Sequence, residues 1–220
     1  MAIKFLKGKN NLIKDILFCL FIVIFMAAVG VGAIVEAKEN RKLRSQVDFN
    51  EQIIEKQIEK RLDTVHSYIE VIENYNPDLD SLFVFELASG VYEASQKHNL
   101  ESHIILTTIA HESMFNPDAK ALTSNATGLG QIIPYHWGEK YNFVKRDLFD
   151  WRFNLDITCE IINQMKKRHG RRKDWIAYYY SAEQPGRGNY FRGWSRKNRY
   201  IKYLLKKHED NGVGAWRNKK

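Results

Sequence analysis

Residues 111–117 read HESMFNP and residues 127–131 read TGLGQ, and these two stretches decide how the rest of the chain is interpreted. The apolar residues upstream of residue 111 have helical spacing and predict a buried helix from Ser102 to Ser113. Asn116-Pro117 should end that helix, because the residue before a proline disfavours the helical conformation. Glu112 is then in the last turn of a core helix, where both the helix dipole and desolvation favour a protonated carboxyl group. A solvated glutamate at a helix end is the ordinary alternative.

Four blocks of sequence carry a family resemblance, because they occur together and in one order. Glu112-Ser113 is followed by Asn-Pro-Asp-Ala, and residues 125–134 read NATGLGQIIP. Residues 147–155 read DLFDWRFNL, and residues 177–182 read AYYYSA. The chain resembles the lytic transglycosylases of the soluble-lytic-transglycosylase, goose-lysozyme-like type. The resemblance implies an all-α, lysozyme-like helical globule that acts on peptidoglycan.

Three positions depart from the family pattern. Asn125 and Gly130 stand in the block that usually reads Gly-Ala-x-Gly-Leu-Met-Gln, and Glu183 stands where the Ala-Tyr-Asn-Ala-Gly block has its glycine. These departures keep open a second reading, in which the chain is a glycan-binding membrane protein with weak catalysis. The retained Glu112 argues against that reading.

The resemblance also implies roles for individual residues. Glu112 would be the single general acid and base, cleaving between N-acetylmuramic acid and N-acetylglucosamine and leaving a 1,6-anhydro-muramyl end. Tyr180, or its neighbour Tyr179, would hydrogen-bond near Glu112 or the substrate's N-acetyl group. The residues expected to contact substrate are Ser113, Gly128, Leu129, Gln131, Asn154, Tyr179 and Tyr180.

A hydrolytic lysozyme is the rival enzyme, because ordinary glycosidases use two carboxyl groups. Its second acid would be one of four aspartates near the matched blocks: Asp118, Asp147, Asp150 and Asp156. None of these aspartates occupies a catalytic position of the family. Hydrolysis would leave reducing ends instead of anhydro ends. The products therefore separate the two readings.

Composition limits the other function classes. The net charge of +8 and the isoelectric point near 9.3 indicate an acidic partner, which could be nucleic acid, anionic lipid or carboxylate-bearing peptidoglycan, and charge alone does not choose among them. Nucleic acid is disfavoured, because acidic glycan strands explain the charge as well. The His111-Glu112 pair lacks the second histidine of a zinc-protease helix, so no metal and no cofactor is expected. Cys19 and Cys159 lie far apart in sequence and imply no disulfide framework.

Residues 16–35 contain no charged side chain and have about the length of a membrane-spanning helix. They follow a basic leader, residues 1–15, and predict a single-pass anchor with the catalytic domain on the periplasmic or extracytoplasmic side. A cleaved signal peptide is the alternative, although the apolar run exceeds the usual core of about 7–15 residues. A small anchored enzyme of this kind would suit a secretion apparatus, a phage virion or wall turnover.

After the predicted anchor, apolar residues recur every three or four positions through residues 36–77 and predict a helical stalk. Asn76-Pro77 should break that helix and form the domain boundary. A catalytic domain would follow over residues 78–207, with a polar basic tail over 208–220. Its predicted helices are Ser81–Gln96, Ser102–Ser113, Asn154–His169, Trp175–Ser181 and Trp194–Lys207.

Overall fold

The computed structural model describes residues 2–122, 124–180 and 187–210, without the side chains of residues 2–25, 27–37, 180 and 187. The described part is helical, which confirms the all-α prediction, and it contains two isolated β-bridges but no β-strand. Its α-helices are α1 (Ala2–Tyr75), α2 (Ser81–His98), α3 (Ser102–Glu112), α4 (Pro134–Tyr141), α5 (Trp151–His169), α6 (Ala177–Tyr180) and α7 (Arg187–Asp210). A short 3₁₀ helix, Lys145–Phe149, precedes α5.

The chain divides into two compact units, Met1–Ile58 and Glu59–Lys220. In the first unit the structure describes one helical segment of α1, on which Leu43, Val47 and Phe49 are exposed. The predicted anchor, residues 16–35, lies within α1, but apart from Met26 its side chains are outside the described set. Among the residues that the structure describes, no helix combines the length and the apolar character needed to cross a membrane.

The boundary between the units differs from the predicted break at Asn76-Pro77. Val65, Tyr68 and Ile72, all on the last turns of α1, are buried in the same apolar cluster as α2 and α3. Helix α1 is continuous through residues 36–75, and its buried apolar residues lie in its C-terminal part, which belongs to the second unit. The chain does turn after Tyr75, where Asn76 and Pro77 lie outside the helix.

Helix α3 is the centre of the second unit. Every residue from Ile104 to Ala110 is buried, including Thr107 and Thr108. Thr108 donates its hydroxyl to the carbonyl of Ile104 at 2.9 Å, so it meets its hydrogen-bonding requirement within the helix. Since α3 is enclosed on all sides, its C-terminal residue is held at a fixed position in the globule.

Helix α5 separates two apolar clusters because helical spacing divides its apolar residues between two faces. Leu155, Cys159 and Ile162 pack into the cluster around α3. Ile157 and Ile161 belong to a second cluster, which also includes residues from the segment that precedes α5. The TGLGQ loop meets both clusters, since its Leu129 lies in the first and Ile132, directly after it, lies in the second.

Candidate active site

The candidate acid, Glu112, is the last residue of α3. The helix ends there and not at Pro117, because Met114 and Phe115 both take left-handed conformations, with φ of 54° and 64°. Such conformations cost about 1–2 kcal/mol for each residue with a side chain, and the Phe115 ring, fully buried, holds the turn in place. The chain thus reverses immediately after Glu112, which leaves this residue partly exposed as a whole at the end of a buried helix, while its carboxyl group is desolvated.

The Glu112 carboxyl group is held by Tyr190, whose hydroxyl donates to Glu112 Oε1 at 2.6 Å. Burial raises the pKa of Glu112 from its ordinary value of 4.5 to about 7, while the Tyr190 hydrogen bond and the Lys197 charge oppose that rise. Desolvation dominates because the carboxylate would have to be stabilised in a largely dry environment. Near neutral pH this group can therefore both release and accept a proton.

Helix α7 supplies this support through three residues on one face, Tyr190, Trp194 and Lys197, which have helical spacing. Trp194 Nε1 donates to Thr108 Oγ1 at 3.3 Å, and Lys197 Nζ donates to the carbonyl of Ala110 at 2.6 Å. Lys197 thereby satisfies a carbonyl in the last turn of α3 and brings a positive charge to the helix end, where the dipole favours one. The candidate acid is thus fixed by a helix about 80 residues further along the chain.

His111 packs beside this arrangement. Its ring meets the Tyr190 ring edge to face, with 4.5 Å between centroids, and its Nδ1 is buried without a hydrogen-bond partner in the described part of the chain. Burial, followed by the Lys197 charge, lowers the pKa of His111 to about 4, so the ring is neutral near neutral pH. A β-carbon on Gly193 would approach His111 Cε1 to 2.9 Å, which explains why α7 has a glycine at that position.

The TGLGQ loop is organised around Asn154. Asn154 is fully buried, its Nδ2 donates to the carbonyls of Thr127 and Leu148, and its Oδ1 accepts from the Gly130 amide at 2.9 Å. Gly128 has φ of +77°, and a β-carbon there would collide with the Asn154 amide and the Leu148 carbonyl. The Asn154 side chain therefore shapes the loop through its hydrogen bonds to Thr127, Leu148 and Gly130. Its contact with substrate stays a prediction.

Gly130 is one of the departures from the family pattern, and its local packing explains why this position is a glycine. A β-carbon there would collide with Thr158 Oγ1 and lie 2.8 Å from Tyr179 Oη. Tyr179 instead donates its hydroxyl to the Gly130 carbonyl at 2.8 Å. A residue larger than glycine would displace Thr158 on α5 and break this hydrogen bond.

Asn125, a second departure, has φ of 56°. Asparagine enters the left-handed region more readily than other residues with a side chain, so it can stand where glycine is usual. The third departure, Glu183, lies outside the described residues.

The structure brings together only some of the predicted site residues. Glu112 and Tyr179 are close enough for the carboxylate charge to raise the pKa of the Tyr179 phenol, although burial is the larger cause. Gln131 is partly exposed, and its Nε2 donates to the carbonyls of Ala119 and Gly128.

The other residues predicted to contact substrate are either buried or have side chains outside the described set. Ser113 is buried and donates its hydroxyl to the Ile109 carbonyl at 3.2 Å, and Leu129 is fully buried. Gly128 is buried as well. For these three residues, contact with substrate stays a prediction. The Tyr180 side chain lies outside the described set.

Three of the four aspartates considered as a second acid have other partners. Asp147 accepts from the Val144 amide, and Asp150 caps α5 by accepting from the amides of Arg152 and Phe153. Asp156 binds Lys97 and His98, both at 2.6 Å. Asp118 is exposed on the turn that follows α3. In the described part of the chain, Glu112 has no hydrogen bond to another carboxyl group.

The sequence matches the model of one known protein family. The model of the transglycosylase SLT domain matches residues 90–202, just over half of the chain. The chain belongs to this family. No curated protein matches it. The SLT domain is a lytic transglycosylase domain with peptidoglycan as its substrate, and the all-helical second unit agrees with the lysozyme-like fold of that family.

The SLT match runs from the middle of α2 to the middle of α7 and includes both Glu112 and Tyr190. Tyr190 is not among the site residues predicted from the sequence, because the last helix is predicted to start only at Trp194. The helix begins at Arg187 instead. The helical spacing of Tyr190, Trp194 and Lys197 was the signal that could have identified this face.

Proposed function

We propose that the protein is a peptidoglycan lytic transglycosylase in which Glu112 is the single general acid and base. The observation that carries this proposal is the Glu112 carboxyl at the end of α3, hydrogen-bonded to Tyr190 and with a pKa raised to about 7. An acid with a pKa near the working pH can donate a proton in one step and accept one in the next. The SLT family match supplies the substrate class.

The reaction would need two proton transfers at one carboxyl group. Protonated Glu112 donates to the glycosidic oxygen between N-acetylmuramic acid and N-acetylglucosamine, and the C1–O bond breaks while the substrate's N-acetyl group stabilises the positive charge at C1. The Glu112 carboxylate then takes the proton of the muramyl C6 hydroxyl as that oxygen bonds to C1. The carboxyl group is regenerated, no water is consumed, and the product carries a 1,6-anhydro end.

Product analysis tests this mechanism. Digested peptidoglycan should contain muropeptides that are one water lighter than the products of a hydrolase, as measured by chromatography with mass detection. Products that end only in reducing sugars would instead support the lysozyme-type hydrolase. An inactive protein that still binds purified sacculi would support the glycan-binding alternative.

Tyr190→Phe should move the pH dependence of cleavage. In the wild-type protein, activity should fall as pH rises through about 7, because Glu112 loses the proton that it must donate. The Tyr190 hydroxyl stabilises the carboxylate and so lowers the pKa of Glu112. Removing it should shift the alkaline fall to higher pH and should reduce the maximal rate by about tenfold, the effect of one lost hydrogen bond.

The matched control is Tyr141→Phe, since Tyr141 donates its hydroxyl to Gln164 and not to Glu112. Its pH profile should superimpose on that of the wild type. An unshifted profile in Tyr190→Phe would mean that this hydrogen bond does not tune the acid.

We further propose that residues 16–35 anchor the protein in a membrane, with the second unit on the wall side. The support is the uncharged run of apolar residues. After alkaline carbonate extraction, the full-length protein should stay with the membrane pellet. A soluble product that begins near Lys38 would show cleavage of a signal peptide instead.

A further inference from the structure

Residues 166–173, which we call the basic turn, follow the last apolar residue of α5 and read KKRHGRRK. Six of these eight residues are cationic and exposed: Lys166, Lys167, Arg168, Arg171, Arg172 and Lys173. A few cations are expected where a helix ends, because they complement its dipole. Here the cations continue past the helix end at His169, so the dipole accounts for only part of them.

The positive charge of the basic turn is largely uncompensated. Within the described part of the chain, only Arg172 among these cations pairs with a carboxylate, that of Asp174 at 3.1 Å. Other cations lie nearby on different elements. Arg168 contributes to lowering the pKa of Lys140 on α4, after the larger effect of burial, which indicates that the two charges are close. The Glu160 carboxylate opposes this effect on Lys140, so the positive surface that joins the basic turn to α4 also carries one negative charge.

The basic turn is also held in a defined shape. The Gly170 amide donates to the Lys166 carbonyl at 2.8 Å, and the Arg172 amide donates to the His169 carbonyl at 2.9 Å. The His169 ring stacks on the Tyr178 ring with 3.8 Å between centroids. Because the backbone is fixed, its cations are presented together, and a multivalent anion can meet several of them at once.

The chemistry of the surface favours a polyanion over a lipid bilayer. Binding to a bilayer surface usually combines cations with apolar side chains that enter the lipid. In the described structure, the basic turn and its flanks, residues 160–179, have no large exposed apolar side chain, and α4 has one, Tyr135. A purely electrostatic surface instead suits a hydrated polymer that carries repeated negative charges.

We propose that the basic turn binds carboxylates of peptidoglycan, those of its stem peptides and of the lactyl groups that carry no stem peptide. This inference rests on the proposed function for its choice of polymer. The surface would hold the enzyme on the carboxylate-bearing network while Glu112 acts on one glycosidic bond. Each exposed ion pair contributes little by itself, so the binding must come from several pairs and must weaken with salt.

The test compares two charge-matched triple variants of the full chain, each combined with Glu112→Gln so that the sacculi are not cut. The first, K167Q/R171Q/K173Q, removes three cations of the basic turn. The control, K60Q/K206Q/K207Q, removes three exposed lysines elsewhere in the second unit. Binding is measured by sedimentation with purified sacculi over a range of salt concentrations.

The basic-turn variant should bind sacculi about tenfold more weakly than the control at low salt, since three surface ion pairs are lost. The difference should shrink as salt screens the charges. Sacculi whose carboxylates have been converted to primary amides with carbodiimide and ammonia should bind both variants equally. Circular dichroism should show the same helix content in the two proteins.

Equal binding of the two variants to untreated sacculi would overturn the proposal. So would a deficit that persists on amidated sacculi, or one that appears only with anionic phospholipid vesicles. Product analysis of the protein with an intact Glu112 is a separate measurement. Absence of anhydro products alongside carboxylate-dependent binding would reject the proposed chemistry and leave the binding surface standing.

Discussion

Glu112→Gln should lower the rate of peptidoglycan cleavage on the order of 10⁴-fold, because both proposed proton transfers use this one carboxyl group. Glutamine keeps the length of the side chain, and its amide oxygen can still accept the hydrogen bond from Tyr190. It lacks only the titratable proton. The measurement is the rate of muropeptide release from purified peptidoglycan, with sacculus binding measured in parallel to confirm that the glycan is still recognised.

Asp118→Asn is the control for Glu112→Gln, since Asp118 is the exposed aspartate on the turn after α3. It should retain most of the activity. An equally inactive but folded Asp118→Asn protein, together with products that end in reducing sugars, would assign a second acid and favour hydrolysis. A folded Glu112→Gln protein that still releases anhydro-muropeptides would exclude Glu112 as the proton donor.

The stability of the same variant has a predictable pH dependence. Folding raises the pKa of Glu112 from 4.5 to about 7, so between these values the folded protein binds more protons than the unfolded chain. The stability gained from Glu112 is therefore present below pH 4.5 and is lost as pH rises through about 7. Glu112→Gln has no such dependence, and its melting temperature relative to the wild type should increase over this pH interval.

The part of the site that could be predicted from sequence is the part encoded locally. Apolar spacing identified α3 and placed Glu112 in its last turn, where the structure also has it. The helix ends four residues before Asn116, because Met114 and Phe115 take left-handed conformations in between. Proline marks where a helix cannot continue, but the position of the turn depends on the burial of Phe115.

Contacts between distant segments could not be predicted in the same way. Asn154 stands in a family block and could be recognised as a site residue, but its hydrogen bonds to Thr127, Leu148 and Gly130 exist only once the loop has folded over α5. Tyr190 is separated from Glu112 by 78 positions, and no local pattern connects them. Helix α4 was also missed, since its eight residues contain both a proline and a glycine.

The domain boundary near the end of α1 could not be predicted from the sequence either, because it also depends on contacts between distant segments. The sequence pattern correctly predicted a helix that stops near Asn76, and a helix ending beside a proline resembles a linker. Whether its apolar face packs on the same unit or remains free depends on the tertiary structure. Ile54 and Ile58 are exposed, whereas Val65 and Ile72, on the same stripe, are buried.

Removing residues 1–77 should consequently unfold the second unit, while removing only residues 1–58 should preserve it. The longer deletion takes away Val65, Tyr68, Val71 and Ile72, whose side chains are all buried in the main cluster. Each such side chain stabilises the fold by about 1.5–3 kcal/mol, and domains of this size have a net stability of only about 5–15 kcal/mol. Asn76, whose Nδ2 donates to the Met114 carbonyl at 3.0 Å beside the candidate site, would be lost as well.

The two fragments, residues 59–220 and 78–220, form a matched pair for thermal unfolding followed by circular dichroism. The fragment that begins at residue 59 should unfold cooperatively and should cleave peptidoglycan, because it contains the whole second compact unit. The fragment that begins at residue 78 should be insoluble or should show no cooperative transition. If both fragments melt at similar temperatures, the last turns of α1 are dispensable and the boundary predicted from Asn76-Pro77 is the correct one.

A single Ile72→Ala exchange in the longer fragment gives a graded form of the same test. Truncating this one fully buried side chain should lower the stability by about 2–5 kcal/mol, and with it the melting temperature, without removing the helix.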